Sequence, residues 1–145
     1  MPTSGRPPDA LVDTSVAVAL CVADHEFHAA TLSALRGRRL GLAGHAAFET
    51  FSVLTRLPAP ARRPPATVAR LLHENFPVSR FLSDAAASAL LQALAHGEIA
   101  GGAVYDALVG ATAREHGLPL ITLDRRALDT YRVLAVDVEV VATGS

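Results

Sequence analysis

The sequence predicts an α/β sandwich built on a mostly parallel sheet. Three observations carry that prediction. Short apolar runs alternate with helical patterns along the chain, the order expected when helices cover both faces of a parallel sheet. The 145 residues suit one domain with a sizeable core. Hydrophobic residues make up 50% and charged residues 19%, so the chain reads as globular and not disordered.

The elements follow in order. Residues 1–9 read as a Pro-rich tail. Ala10–Val12 form a short buried strand, and Thr14 or Ser15 can cap the next helix. Helices are expected over 15–22 and 25–36, broken near Ala23-Asp24, and a second strand over Leu40–Ala43. Phe48, Phe51 and Leu54 supply an apolar stripe for a helix over 45–56, which Pro58 and Pro60 stop. Pro64 and Pro65 open a helix over about 66–74, where proline is tolerated. Phe76–Phe81 read as a short strand that Pro77 confines to an edge. Ser83 caps a helix over 84–95 with Gly97 as its stop. Gly101-Gly102 lead into a helix over 103–116, which Gly117 ends. Leu120–Leu123 form a strand, a short helix sits near Arg126–Asp129, and a final strand spans Val133–Val136, extended by Val138–Val141. The organisation expected is a tail over 1–9, one domain over 10–141 and a tail over 142–145.

Composition narrows the function. Net charge is -1, so there is no global basic signature for nucleic acid, although segregated charges leave RNA open. All 13 basic residues are arginine. They cluster at Arg36, Arg38 and Arg39, at Arg62 and Arg63, and at Arg125 and Arg126. A coding bias toward Ala and Arg explains the missing lysine, and arginine keeps its use in bidentate phosphate contacts either way. The single Cys21 excludes an internal disulfide and a multi-cysteine zinc site. No apolar stretch is long enough for a membrane span, and the N-terminus lacks the apolar run of a signal peptide. The default expectation is a cytoplasmic protein.

Four acids stand in four apolar contexts: Asp13, Glu49, Asp106 and Asp124. Burying one carboxylate without a partner is costly. A hard divalent cation, Mg²⁺ or Mn²⁺, is the simplest partner, since such ions prefer carboxylate and water oxygens. Asp13 and Asp124 fall at the carboxyl ends of predicted strands, the edge where open α/β sheets bind ligands. Asp106 lies in the first turn of its helix, and Glu49 lies one turn into its own. Each acid also has an ordinary reading. Asp13 can be a cap, Glu49 can pair with Arg56, Asp106 can complement the helix dipole, and Asp124 can be a turn residue. Their joint occurrence is what points to a site. His25, His28, His45, His73, His96 and His116 read as surface or cap residues, because a zinc site needs three or four converging ligands.

These segments resemble a PIN-domain ribonuclease, most closely the toxin of a VapBC toxin–antitoxin pair. The resemblance is carried by Leu11-Val12-Asp13-Thr14-Ser15 and by Glu49-Thr50-Phe51-Ser52-Val53-Leu54-Thr55-Arg56-Leu57. It continues through Tyr105-Asp106-Ala107-Leu108-Val109-Gly110-Ala111-Thr112-Ala113 and Gly117-Leu118-Pro119-Leu120-Ile121-Thr122-Leu123-Asp124-Arg125-Arg126. It covers about residues 10–137, and the order and spacing of the segments make it specific where each alone is not. It implies a PIN-like three-layer α/β/α sandwich with a central, mostly parallel sheet of four or five strands in the order 3-2-1-4-5. It implies Mg²⁺- or Mn²⁺-dependent cleavage of RNA, such as tRNA or rRNA, at single-stranded or loop positions. Asp13 and Asp106 take the main metal-ligand places, with Glu49 and Asp124 ligating directly or through water. Thr14, Ser15 and Thr122 match accessory polar positions. The resemblance also implies a homodimer and a VapB-type antitoxin whose C-terminal segment enters the acidic groove. One departure is Leu123, where the family often carries arginine; Arg125 or Arg126 is the substitute phosphate contact.

Rival classes fit less well. A haloacid-dehalogenase phosphatase needs a second Asp where Ser15 stands, and a lysine. A response-regulator receiver lacks the same lysine, and a P-loop NTPase lacks both its Gly-rich motif and its lysine. A non-catalytic PIN-like binding module gives no reason to keep four acids. A flap-type DNA nuclease needs arch and helix-hairpin elements absent from 145 residues.

Overall fold

The computed structural model describes residues 8–144. Most of the N-terminal tail, residues 1–7, and the last tail residue, 145, lie outside the described residues. The element order is β1 (Ala10–Val12), α1 (Thr14–Cys21), α2 (His28–Ala34), β2 (Leu40–Leu42), α3 (His45–Thr55), α4 (Pro65–Asn75), α5 (Asp84–His96), α6 (Ala103–Glu115), β3 (Leu120–Thr122), α7 (Leu128–Val133) and β4 (Val138–Val140). A single 3₁₀ turn, Arg125–Ala127, leads into α7.

The sheet is parallel throughout, in the order β2-β1-β3-β4. Strand alternation splits the core into two layers, because successive side chains point to opposite faces. Ala10, Val12, Leu40, Leu42 and Ile121 pack beneath Val16 of α1, Leu54 of α3, and Val68 and Leu72 of α4. Leu11 and Leu120 face the other way, against Val109 and Ala113 of α6 and Tyr131 of α7. Leu90 joins α5 to α6 through Ala107, with Leu134 beside them. The result is the expected α/β/α sandwich. Among the described residues no helix is long and apolar enough to cross a membrane.

Most expected elements stand within one to three residues of their places. The expected strand at Phe76–Phe81 is reduced to one parallel bridge, Ala43 to Arg80, outside β2. Val78 and Arg80 donate their N–H groups to Leu40 and Leu42 at 3.2 Å each. Pro77 has no N–H to add to that ladder. The segment lies so close to β2 that a Cβ on Gly41 would overlap the Val78 carbonyl. With this bridge, the order matches the 3-2-1-4-5 arrangement.

The last strand requires a correction. Val133–Val136 is not a strand: α7 runs to Val133, and the strand is Val138–Val140 alone. Ala135 adopts a φ of 56°, and the Val136 N–H closes back on the Tyr131 carbonyl at 3.0 Å. That closure is a helix C-terminal motif. It turns Leu134 and Val136 into the helical layer instead of the sheet. Of the caps the sequence offers before α1, Asp13 is the one used and not Thr14 or Ser15: its side chain accepts from the Val16 N–H.

Gly41→Ala is expected to lower stability by about 1–3 kcal/mol, the range for overpacking a close contact. An unchanged urea-denaturation midpoint would contradict the close approach of residue 78 to β2.

Candidate functional site

The sheet order reverses direction between β1 and β3, and open α/β sheets place ligands at that switch point. Asp13 directly follows β1, and Asp124 stands two residues past β3. Glu49, on α3, and Asp106, in the first turn of α6, lean over the same edge. All four carboxylates line one cavity of about 110 Å³, together with Thr14, Ser15, Val109 and Tyr131. Larger clefts exist elsewhere, such as one of about 430 Å³ beside Leu20, Leu71 and Phe76, but it holds no acidic residue.

Asp13 is the anchor. It is 4% exposed. Its Oδ1 accepts from the Ser15 hydroxyl and from the Val16 N–H, and its Oδ2 accepts from the Thr122 hydroxyl and from the Tyr131 hydroxyl at 3.0 Å. Each of its two oxygens is thus held by two donors. Burial pushes the Asp13 carboxyl above the ordinary range, and the hydrogen bonds oppose that shift without cancelling it. Ser15 Oγ also accepts from the Leu123 N–H at 3.0 Å, and Thr122 Oγ1 from the Asp124 N–H at 2.9 Å. The two hydroxyls therefore sew the end of β1 to the loop after β3.

The other acids are held more loosely. Glu49 Oε1 accepts from the Thr14 hydroxyl at 3.0 Å, and no ion pair to Arg56 forms among the described residues. Asp124 caps the 3₁₀ turn by accepting from the Arg126 N–H at 3.0 Å, and the largely exposed Arg126 guanidinium lies 3.3 Å away. Arg125 is exposed on the same turn. Partial burial raises the Asp106 carboxyl. The charges of Asp124, Asp13 and Glu49 raise it further, and Arg126 opposes them. Burial and the charge of Asp13 likewise push the Tyr131 hydroxyl far up, so it is a proton donor at any ordinary pH.

Sequence reasoning missed Tyr131. It is 1% exposed and reaches Asp13 across 118 positions of sequence; a tyrosine in the first layer under a strand end reads simply as core. Among the described residues no histidine lines the acid cavity. His28 bonds the Ala19 carbonyl, His116 the Phe81 carbonyl, and His45 stacks on Tyr105.

The donor chemistry suits a hard divalent cation: oxygen ligands only, with mutually repelling carboxylates that a cation would stabilise. Among the described residues no three of them stand close enough to ligate one ion together. Mg²⁺ is commonly held by one or two carboxylates and keeps several waters, so the set fits an ion bound partly through water.

Fold and site together define the class: an open parallel α/β domain with a carboxylate centre at its switch point. Comparison with known proteins gives the family. The model for the PIN domain matches residues 10–133, and the chain belongs to the PIN-domain family, within it to the VapC type. It is 50% identical to Ribonuclease VapC27 of Mycobacterium tuberculosis over 94% of this chain and 99% of that protein. It is 47% identical to Ribonuclease VapC40 of the same species over 89% of this chain and 96% of that one. Among solved structures, M. tuberculosis VapC20, described as a sarcin-ricin loop cleaving toxin, superposes with a TM-score of 0.59 at 20% identity, covering 77% of this chain and 86% of that one. VapBC-5, a member of the VapBC family of toxin-antitoxin systems from M. tuberculosis, gives 0.56 at 21% identity, covering 93% and 98%.

Two predictions follow from this geometry. Tyr131→Phe removes one donor from a buried carboxylate and is expected to cost about 1–3 kcal/mol of stability in urea denaturation; a neutral result would mean that the hydroxyl does not serve Asp13. The second concerns pH. Because the Asp106 carboxyl is raised, the folded protein holds that proton more tightly than the unfolded chain. The resulting stability is present below about pH 4, the unperturbed value, and is lost as pH rises through the folded value. In EDTA, Asp106→Asn should therefore raise Tm at pH 7 and lose that advantage by pH 4. An equal gain at both pH values would refute repulsion among the acids.

Proposed function

We propose that this protein is a metal-dependent endoribonuclease that hydrolyses RNA phosphodiester bonds, the toxin of a type II toxin–antitoxin pair. The observation that carries the reading is the convergence of Asp13, Glu49, Asp106 and Asp124, from four separate elements, on one cavity. The names of the relatives VapC27 and VapC40, both ribonucleases, support the same chemistry. Asp13 and Asp106 would hold Mg²⁺ or Mn²⁺, with Glu49 and Asp124 completing its surroundings through water. When bound, the ion supplies Lewis acidity toward a phosphate oxygen and a more acidic water.

The chain's own residues do the remaining work. The Ser15, Thr122 and Tyr131 hydroxyls fix the rotamer of Asp13, because a carboxylate held by converging donors cannot turn. Thr14 orients Glu49 in the same way. One of the four carboxylates takes a proton from the attacking water. Arg125 and Arg126, exposed beside Asp124, are placed in sequence to hold a flanking phosphate. RNA is read as an exposed loop or single strand, because side chains cannot enter the deep groove of an A-form duplex; tRNA and rRNA are the substrate classes. The domain, residues 10–141, works in the cytoplasm as a homodimer. A VapB-type antitoxin silences it by laying a C-terminal segment across the acids, a basic side chain taking the place of the cation.

The test is incubation of the antitoxin-free protein with total bacterial RNA in Mg²⁺ or Mn²⁺, beside EDTA and Asp106→Asn. Discrete cleavage is expected, reduced at least about 100-fold in both controls, since a metal site supplies several kcal/mol of transition-state stabilisation. Cleavage that survives EDTA would overturn metal dependence. Absence of both cleavage and Mn²⁺ binding by calorimetry would overturn the enzyme.

A further inference from the structure

Beside the acid cavity runs a cleft with aromatic residues that the acids do not explain. His45 opens α3, and its face continues through Phe48, Glu49, Ser52 and Arg56 at helical spacing. With Thr14 and Val53 these residues line a cleft of about 300 Å³. Thr14 and Glu49 also line the acid cavity, so the two spaces share a wall. Tyr105, next to Asp106 in the chain, stacks on His45 with ring centroids 5.0 Å apart at 23°. Phe48 lies 6.1 Å from Phe81. Phe48 is 66% exposed, and Tyr105 and Phe81 are 51% exposed each. Rings left this far in water contribute little burial to the fold, and a contiguous apolar exposure next to a reaction centre marks a binding surface.

We propose that Tyr105, His45, Phe48 and Phe81 form a stacking platform for the nucleobases on either side of the cut phosphate, with Arg56 holding the next phosphate along. The inference rests on the endoribonuclease reading above. Unpaired bases of a single strand stack on aromatic faces whatever their identity, because every base has a π-face. Arg56 enters none of the ion pairs among the described residues, so its guanidinium is available to a phosphate oxygen. The polar interleaving favours RNA over a docked apolar helix. Such a helix would strip water from Thr14, Glu49, Ser52 and Arg56 without pairing them, whereas a nucleotide brings a π-face and a charged phosphate together.

The experiment uses a single-stranded RNA carrying 2-aminopurine, titrated with the full protein in Ca²⁺ so that the strand stays intact. Wild type is expected to bind it and to change the probe's fluorescence by stacking. Tyr105→Ala and Phe48→Ala should each weaken Kd about 5- to 100-fold, the usual worth of one base–aromatic stack. Tyr105→Phe should bind like wild type, and Tyr105→Leu, which keeps the bulk without the ring, like Tyr105→Ala. In cleavage assays the two alanine variants should raise KM more than they lower kcat. Thermal melts show that each variant is folded. Unchanged Kd in folded alanine variants overturns the platform and leaves the nuclease standing. Full binding by Tyr105→Leu overturns stacking as its basis. Unchanged RNA binding with an altered oligomeric state makes this wall a protein interface instead. Wild type that neither binds this strand in Ca²⁺ nor cuts RNA in Mg²⁺ or Mn²⁺ overturns the platform and the nuclease reading together.

Discussion

One buried carboxylate organises this molecule. Asp13 sits at the end of the central strand β1, removed from water, and an ion there is tolerable only if its lone pairs are met. They are met by Ser15 and the Val16 N–H from α1, by Thr122 from β3, and by Tyr131 from α7. The requirement to satisfy one side chain thus joins the end of β1 and the start of α1 to β3 and α7, 109 and 118 positions further along the chain. Through Ser15 and Thr122 it also sets the backbone of Leu123 and Asp124, and so the position of the second strand-end acid.

Around that fixed point the fold gathers charges that repel. Burial and three neighbouring acids together raise the proton affinity of Asp106. A domain folded for stability alone would separate them, or place an uncharged residue at Glu49. Their retention in one cavity is local strain of the electrostatic kind, and such strain clusters where a ligand relieves it. The rigid member is Asp13, and the looser ones are Glu49, Asp106 and Asp124. That division leaves one carboxylate preset and the others free to adjust.

Much of this was legible in the chain. The acids at 13 and 124 were recognisable because each ends an apolar run, and a strand followed by a carboxylate reports the sheet edge without any tertiary knowledge. Glu49 and Asp106 were recognisable because a charge inside an apolar helical stripe is anomalous by itself. The last strand was misread because Val133-Leu134-Ala135-Val136 has the composition of a strand. Only the packing of Leu134 and Val136 against α5 and α6, with Ala135 turned to positive φ, makes it a helix end. The strand at Phe76–Phe81 kept its place but lost its length, since Pro77 supplies no N–H and the close approach over Gly41 is confined to that segment.

The sequence by itself determined the layer order, the parallel sheet and the identity of the acids, because those depend on local periodicity and on the rarity of charge among apolar neighbours. Tertiary structure alone decided that the second oxygen of Asp13 faces Thr122 and Tyr131, that Tyr131 lines the site, and that His45 meets Tyr105. Each of these depends on a contact across many residues of chain, such as the 118 positions between Asp13 and Tyr131. Local pattern carries no information about which side chain a folded backbone will bring to meet it.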